Sequence, residues 1–370
     1  MSGWSNDSGM VIVYNMIERE IGNRVSKSGY LNNYLNVCKR ATSRRQLPFN
    51  IKGLRYTLMA FERKYHTNIL STFSNQEINP WFITGLIDAE GSFMLKISEK
   101  RQQLEFSITL HSIDKELIMK IYKYFNIGNY RIIERNGIYK CIFSIVSLEL
   151  IINHVIPHFD KYPLQTKKRA DYLLFKEAAF IKYYDKKNYN IEKLISIRAS
   201  MNRGLTKSLI IKYPNIIPVN RPKVEFNKDL NPYWISGFVT GDGHFSCKIV
   251  NNNRIKFLFN ITQNSRDKEL MEYFINYLNC GFTYINTKDN CIYYEVIKYD
   301  DIINKIIPFF NKYSVRGTKL VNYNYFKEII QIVKFNTPLT SSELNKIQHI
   351  RNNMNEKGLA NWVTKYDKVS

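Results

Sequence analysis

The chain repeats itself, and that constrains its architecture more than any other feature. NPWFITGLIDAEGSF, from Asn79 to Phe93, returns as NPYWISGFVTGDGHF, from Asn231 to Phe245. FSITLHSIDKEL from Phe106 returns as FNITQNSRDKEL from Phe259, and HFDKYPLQTKKRADYLLFKE from His158 as FFNKYSVRGTKLVNYNYFKE from Phe309. IRASMNRGL from Ile197 returns as IRNNMNEKGL from Ile350, with one residue inserted. Four matched segments in one order imply a duplicated unit, and two copies in one chain are expected to pack about a pseudo-twofold axis like a fused homodimer. The expected organisation is a first repeat over 79–205, a linker over 206–230 carrying Pro214, Pro218 and Pro222, and a second repeat over 231–360. Residues 1–78 match neither copy and form an N-terminal extension of unreadable role.

Each repeat reads as helix, hairpin, helix, hairpin, helix, helix, an α+β arrangement. Asn79 and Pro80 open the first helix, where the missing N–H of proline costs little, and Gly91 ends it. SFMLKIS (92–98) alternates, with Phe93, Leu95 and Ile97 on one face and polar residues on the other. LEFSITL (104–110) alternates in the same way, so the polar stretch EKRQQ between them turns a hairpin. Asp114 is expected to cap the helix that follows. In the second copy Phe245, Cys247 and Ile249 face inward while His244, Ser246 and Lys248 face out.

Lys and Arg number 54 against 32 Asp and Glu, a formal charge of +22, which favours a polyanionic partner and nucleic acid first. An anionic membrane would also attract this charge, but no apolar run approaches the roughly 18 residues needed to span a bilayer. A soluble protein is expected. The cysteines Cys38, Cys141, Cys247, Cys280 and Cys291 are scattered without a CxxC pair, which fits a reducing compartment and argues against structural zinc. The N-terminus has neither a secretory core nor a transit-peptide composition. Abundant Asn, Ile, Lys and Tyr suggest an AT-rich, organelle-encoded gene. His154 and His158 stand four apart on an expected helix, but no third ligand accompanies them. Tyr and Phe dominate the 14% aromatic content at core-like spacing, so base stacking is not called for.

The chemistry centres on GLIDAEG (85–91) and GFVTGDG (237–243). Small residues recur four apart, Gly85 with Ala89 and Gly237 with Gly241, which lets two helix backbones approach closely. Each helix ends in an acid followed by glycine, so Glu90 and Asp242 should emerge side by side. Two carboxylates facing a polyanion make sense if cations sit between them, and magnesium takes one or two carboxylates plus phosphate oxygens and water. Two such metals can drive phosphodiester hydrolysis. Asp88 is replaced by Thr240 in the second copy, so a structural role is expected for it.

ITGLIDAEG (83–91) and ISGFVTGDG (235–243) resemble the two motifs of the LAGLIDADG homing endonucleases. FSITLHSIDKEL, HFDKYPLQTKKRADYLLFKEAAF and the MNRGL segment extend the likeness to the fungal mitochondrial single-chain members, roughly from Ile78 to Leu359. The resemblance implies two αββαββα halves forming a saddle of antiparallel sheets in the DNA major groove, with mitochondrial localisation. It places the metal site, for Mg2+ or Mn2+, at Glu90 and Asp242 with Ala89 and Gly241 beside them. The family's active-site lysines fall on Lys168 and Lys319. A family glutamine falls on Gln263, whereas the first repeat has Leu110 there, which leaves the half-sites unequal.

Outward hairpin residues are the natural base readers, because a β-ribbon fits the major groove. In repeat 1 these are Ser92, Met94, Lys96, Ser98, Lys100, Gln103, Ser107 and Thr109, continued by Arg131, Lys140 and Ser144. In repeat 2 they are His244, Ser246, Lys248, Asn260 and Thr262. The expected activity is cleavage of both strands of a long asymmetric duplex by a monomer, leaving 3′ overhangs. The alternatives are a maturase bound to its own intron RNA and a non-catalytic DNA-binding regulator, both disfavoured by two intact acids.

Overall fold

The computed structural model describes residues 77–98, 101–185, 189–250, 253–335 and 338–354. The N-terminal extension up to Gln76 and the reader candidate Lys100 lie outside the described residues. Repeat 1 runs α1 (Pro80–Glu90), β1 (Gly91–Ile97), β2 (Gln102–His111), α2 (Lys115–Phe125), β3 (Asn129–Arg135) and β4 (Ile138–Ile145). It continues through α3, made of Leu148–Leu150, Ile151–Val155 and Ile156–Lys161, then α4 (Lys168–Tyr184) and α5 (Ile191–Ser200). After the short α6 (Lys207–Lys212), repeat 2 gives α7 (Pro232–Asp242), β5 (Gly243–Val250), β6 (Arg254–Asn264), α8 (Lys268–Leu278), β7 (Phe282–Asn286) and β8 (Cys291–Val296). α9 (Tyr299–Asp301, Ile302–Ile306, Ile307–Lys312), α10 (Gly317–Phe335) and α11 (Ser341–Asn353) complete it.

Both sheets are antiparallel and four-stranded, ordered β1-β2-β4-β3 and β5-β6-β8-β7. Pairings such as Phe93 with Phe106 and Phe245 with Phe259 put the large apolar residues on the helix side. Each repeat has its own apolar core. Leu194, Ile195 and Ile197 of α5 are buried, and Leu194 and Ile197 belong to the first of these cores. The middle of α3 and of α9 is wound as a π-helix just before Pro157 and Pro308. A proline ring displaces the carbonyl four residues back, and a wider turn accommodates it.

The repeats meet along α1 and α7. Asn79 and Asn231 each cap their helix by accepting from the N–H two residues on, at 2.9 Å. A Cβ on Gly85 would drive into the carbonyl oxygen of Trp234, and one on Gly237 into that of Phe82. The backbones therefore touch where the sequence put its small residues. The expected cap at Asp114 is a correction. Its side chain makes no capping bond to α2 and instead accepts from Thr318 N at 2.7 Å and Thr318 Oγ1 at 3.0 Å, in the other repeat. The linker is tied to repeat 1 by Arg221, whose guanidinium grips Asp171 through two bonds of 2.8 and 2.9 Å. Among the described residues no helix is long and apolar enough to cross a membrane.

Candidate active site and nucleic-acid interface

The crossing helices end together. Gly241 meets Ala89, and a Cβ on Gly241 would lie 3.1 Å from Glu90 Cγ, so the two acids sit at one point although they come from different repeats. Burial and then the negative charge of Glu90 push Asp242 up to about 7, while Lys168 and Lys319 pull it down. Two like charges in a partly dry place resist ionising together. Lys168 reaches this point from the start of α4 and donates to Ile87 O at 2.9 Å and Ala89 O at 3.2 Å, two carbonyls of the last turn of α1. Burial lowers its pKa against the opposing pull of Asp88, Asp242 and Glu90. Lys319 occupies the matching place on α10 and donates to Gly243 O.

Gln263, near the end of β6, donates its amide to Asp242 Oδ2. Strand register puts Gly91 opposite Ile108 and Gly243 opposite Ile261, so Leu110 stands where Gln263 does, and repeat 1 has no donor there. Asp88 is fully engaged elsewhere. It accepts from Gln165 N (2.8 Å), Thr166 N (3.2 Å), Thr166 Oγ1 (2.6 Å) and Trp234 Nε1 (2.8 Å), with burial raising its pKa to about 6. That arrangement fits a structural bridge between α1, the loop before α4, and α7. His158 is likewise internal. Its ring nitrogens lie 3.1 Å from Thr84 Oγ1 and 3.0 Å from the Tyr124 hydroxyl, and burial lowers it to about 3.

On the opposite sheet faces, register brings the nominated readers into rows. Ser92, Ser107, Ser144 and Asn129 form one row, and Thr109, Ile142 and Arg131 another. Ser98 lies just beyond the end of β1, and Gln103 pairs with Lys96. Lys140 pairs with His111 and is exposed. Ser107 and Ser144 share this face but are only 6% and 4% exposed, because they are small side chains on the two central strands. Lys96 is not a free cation either. It is ion-paired with Glu105, an acid on the same face that alternation alone could not distinguish from the polar readers around it. In repeat 2, His244 pairs with Asn260 and Lys248 with Lys256. Ser246 and Thr262 are half-exposed on the same face, and the buried Asn260 Oδ1 has no hydrogen-bond partner. Lys256 and Arg254 continue the basic edge of β6 and were missed, although the hairpin symmetry pointed to them.

The expectation that aromatics belong only to the core fails on β7 and β8. Phe282, Tyr284 and Tyr293 lie on the reader face of repeat 2, with Phe282 and Tyr284 41% and 43% exposed. The rings of Tyr284 and Tyr293 stack at 5.0 Å and 6°, and Phe282 lies 6.4 Å from Tyr284. Their hydroxyls are taken, Tyr284 donating to Glu295 at 3.1 Å and Tyr293 to Asp289 at 2.9 Å. The period-two pattern of FTYIN and CIYYEV allowed this, but a strand edge and a core look alike in so short a run.

The LAGLIDADG endonuclease family model matches this chain twice, over residues 83–179 and 235–330. A probable intron-encoded endonuclease 3 of Neurospora crassa is 32% identical over 390 residues, which span 94% of this chain and 72% of that protein. The I-SmaMI LAGLIDADG homing endonuclease bound to cleaved DNA superposes with a TM-score of 0.72 at 35% identity, covering 77% of this chain and 99% of the other. I-SmaMI bound to uncleaved DNA in the presence of calcium ions gives 0.70 at 34%, over 75% and 98%.

Proposed function

Starting from a chain that belongs to the LAGLIDADG endonuclease family, we propose that it is a DNA endonuclease that hydrolyses both strands of one long, asymmetric duplex and leaves 3′ overhangs. It acts as a monomer with Mg2+ or Mn2+, and its place is the mitochondrion of a fungus. One observation carries this reading: a carboxylate from each repeat meets at the helix crossing, flanked by Lys168 and Lys319. The localisation rests on the AT-rich residue usage and on the intron-encoded name of the Neurospora relative.

The residues present fit divalent cations. Burial, and then the negative charge of Glu90, raise the pKa of Asp242 to about 7, and a bound cation would oppose both. Among the described residues no three His, Cys, Asp or Glu side chains form a cage, so other ligand positions would fall to phosphate, water and main-chain oxygens, as magnesium accepts. Glu90 and Asp242 would hold the ions beside Ala89 and Gly241. When bound, they would supply Lewis-acid charge at the scissile phosphates. The chain's own part is electrostatic and geometric. Lys168, pinned to the end of α1, keeps a positive charge close to where phosphate charge develops. Gln263 fixes the Asp242 carboxylate in one orientation, and at the matching place in repeat 1 the Leu110 side chain has no amide to offer. The outward rows of both sheets, from Ser92 to Ser144 and from His244 to Thr262, read bases, while surrounding lysines hold phosphates. Because the two rows differ in sequence, the two half-sites differ.

Incubation with the uninterrupted host locus and magnesium is expected to give one double-strand break. Glu90→Gln and Asp242→Asn are expected to bind the same duplex without cutting it; normal cleavage by both variants would refute the assignment. A second reading, service as a maturase on its own intron RNA, draws on the exposed Phe282 and Tyr284 and the half-buried Tyr293 stacked on Tyr284. Aromatics on a four-stranded sheet can stack unpaired RNA bases. Splicing enhanced by a protein that never nicks DNA would favour it.

A further inference from the structure

The two aspartates of the repeated DKEL segments do something their local sequence does not announce. Asp114 and Asp267 each stand at the start of a helix, α2 and α8, with the same backbone conformation (φ −90, ψ 21 and φ −96, ψ 21), and neither makes a capping bond to its own helix. Both carboxylates turn across the pseudo-twofold. Asp114 of repeat 1 accepts from Thr318 N and Thr318 Oγ1 at the start of α10. Asp267 of repeat 2, 3% exposed and 3.7 Å from Arg266 Nε, accepts from Lys167 N at 2.7 Å at the start of α4. Each therefore bonds an N–H at the start of the lysine-bearing helix of the other repeat, Thr318 in the first turn of α10 and Lys167 at the N-cap of α4. The next residue in each case is the lysine of the candidate active site, Lys319 or Lys168.

The fit is close. Gly317, at φ +62, has no room for a side chain, because a Cβ there would strike Asp114 Oδ1. We propose that Asp114 and Asp267 are reciprocal positioning residues: Asp114 sets Lys319 and Asp267 sets Lys168, so each repeat aligns the other's lysine. The arrangement gives the duplicated chain a means of coupling its halves, since one contact beside each lysine crosses to the other repeat. This rests on the nuclease reading for its catalytic half, and on hydrogen-bond geometry alone for its structural half.

The test compares phenotypes on a duplex carrying the host target with each strand labelled separately. Asp267→Ala should slow the strand that Lys168→Met slows, and Asp114→Ala the strand that Lys319→Met slows, each by about ten- to a hundredfold. DNA affinity measured in calcium should stay unchanged. Asp267→Asn keeps an acceptor for its one N–H and should recover most activity. Asp114→Asn, which loses one of two contacts, should recover less. If each aspartate merely stabilised its own repeat, the pairing would reverse, with Asp267→Ala matching Lys319→Met, and that result overturns the proposal, as does equal slowing of both strands. Hydrogen exchange reads the clasp without cleavage. Asp267→Ala should deprotect the Lys167 amide in repeat 1, and exchange altered only within repeat 2 would refute the crossing. A wild type that binds but never cuts would overturn the nuclease reading and the catalytic half, leaving exchange to decide the contact itself.

Discussion

Laid over one another, the repeats agree where backbone meets backbone and diverge in side chains, inside the core as well as on the outer sheet. Gly85 and Gly237 fill identical roles at the seam, as do Asp114 and Asp267 across it. By contrast, Asp88 faces Thr240 in the alignment, Leu110 faces Gln263, and the buried His158 faces Phe309. The outer sheet differs most. Repeat 1 presents Asn129, Arg131, Ile142 and Ser144, while repeat 2 presents Phe282, Tyr284, Tyr293 and Glu295. Duplication thus preserved the backbone contacts of the seam and left buried and exposed side chains free to diverge. Both faces are basic, and the second alone adds an aromatic cluster on its outer strands, a difference in keeping with the proposed asymmetric target.

That comparison can be broken first at its symmetric element. Gly85→Ala and Gly237→Ala should each destabilise by about 3 kcal/mol, because the new Cβ has only backbone to push against. Urea unfolding that separates the two by a wide margin would show the seam to be less symmetric than it looks.

The next largest effect concerns His158, buried neutral with Tyr124 and Thr84 against its ring. Its folded pKa, lowered to about 3, lies below the ordinary value of about 6.5. Between those values the unfolded chain binds a proton that the native state refuses, so stability falls as pH drops through that window, by up to about 1.4 kcal/mol per pH unit. His158→Phe, which copies repeat 2, should remove this slope. Melting the variant and the wild type at pH 7.5 and 5 isolates the contribution, since Asp88 and the other acids titrate in both proteins.

Exchanging the Gln263 and Leu110 environments sharpens the contrast at the acids. Gln263→Leu should slow one strand about tenfold, a loss of about 1.4 kcal/mol, and bring the two nicking rates closer if repeat 2 is the faster half. Rates that do not move would mean the amide only packs. The smallest effects lie on the wings. Arg131→Ala should weaken binding and lower the salt slope by about one unit, whereas Tyr284→Ala should weaken binding by about 1 kcal/mol with the slope unchanged. Equal loss of salt dependence in both would erase the distinction between the wings.

Much of the α+β plan was legible because it rests on local rules. Asn79 and Asn231 before proline mark helix starts, the alternation around Phe93 and Phe245 marks strands, and glycines four apart mark a helix contact. The meeting of Glu90 with Asp242 could be inferred because duplication implies a twofold axis and a helix end fixes where its last residue points. Other features were hidden. Asp114 carries every local sign of a cap, yet its partner lies 204 positions away. Glu105, which register sets opposite Met94, looks like one more polar reader until its diagonal ion pair with Lys96 is seen. The aromatics of β7 and β8 fit a buried strand or an exposed one equally well.

The sequence alone determined the duplication, the order of elements, the two acids and the basic charge, all of which follow from nearest-neighbour spacing and composition. Only the tertiary structure decided that Asp114 and Asp267 bond across to the other repeat, and which wing of the saddle is aromatic. Those are relations between groups far apart in the chain, and a hydrogen bond or a stacked ring is set by the final distance between atoms, which no local pattern of residue types encodes.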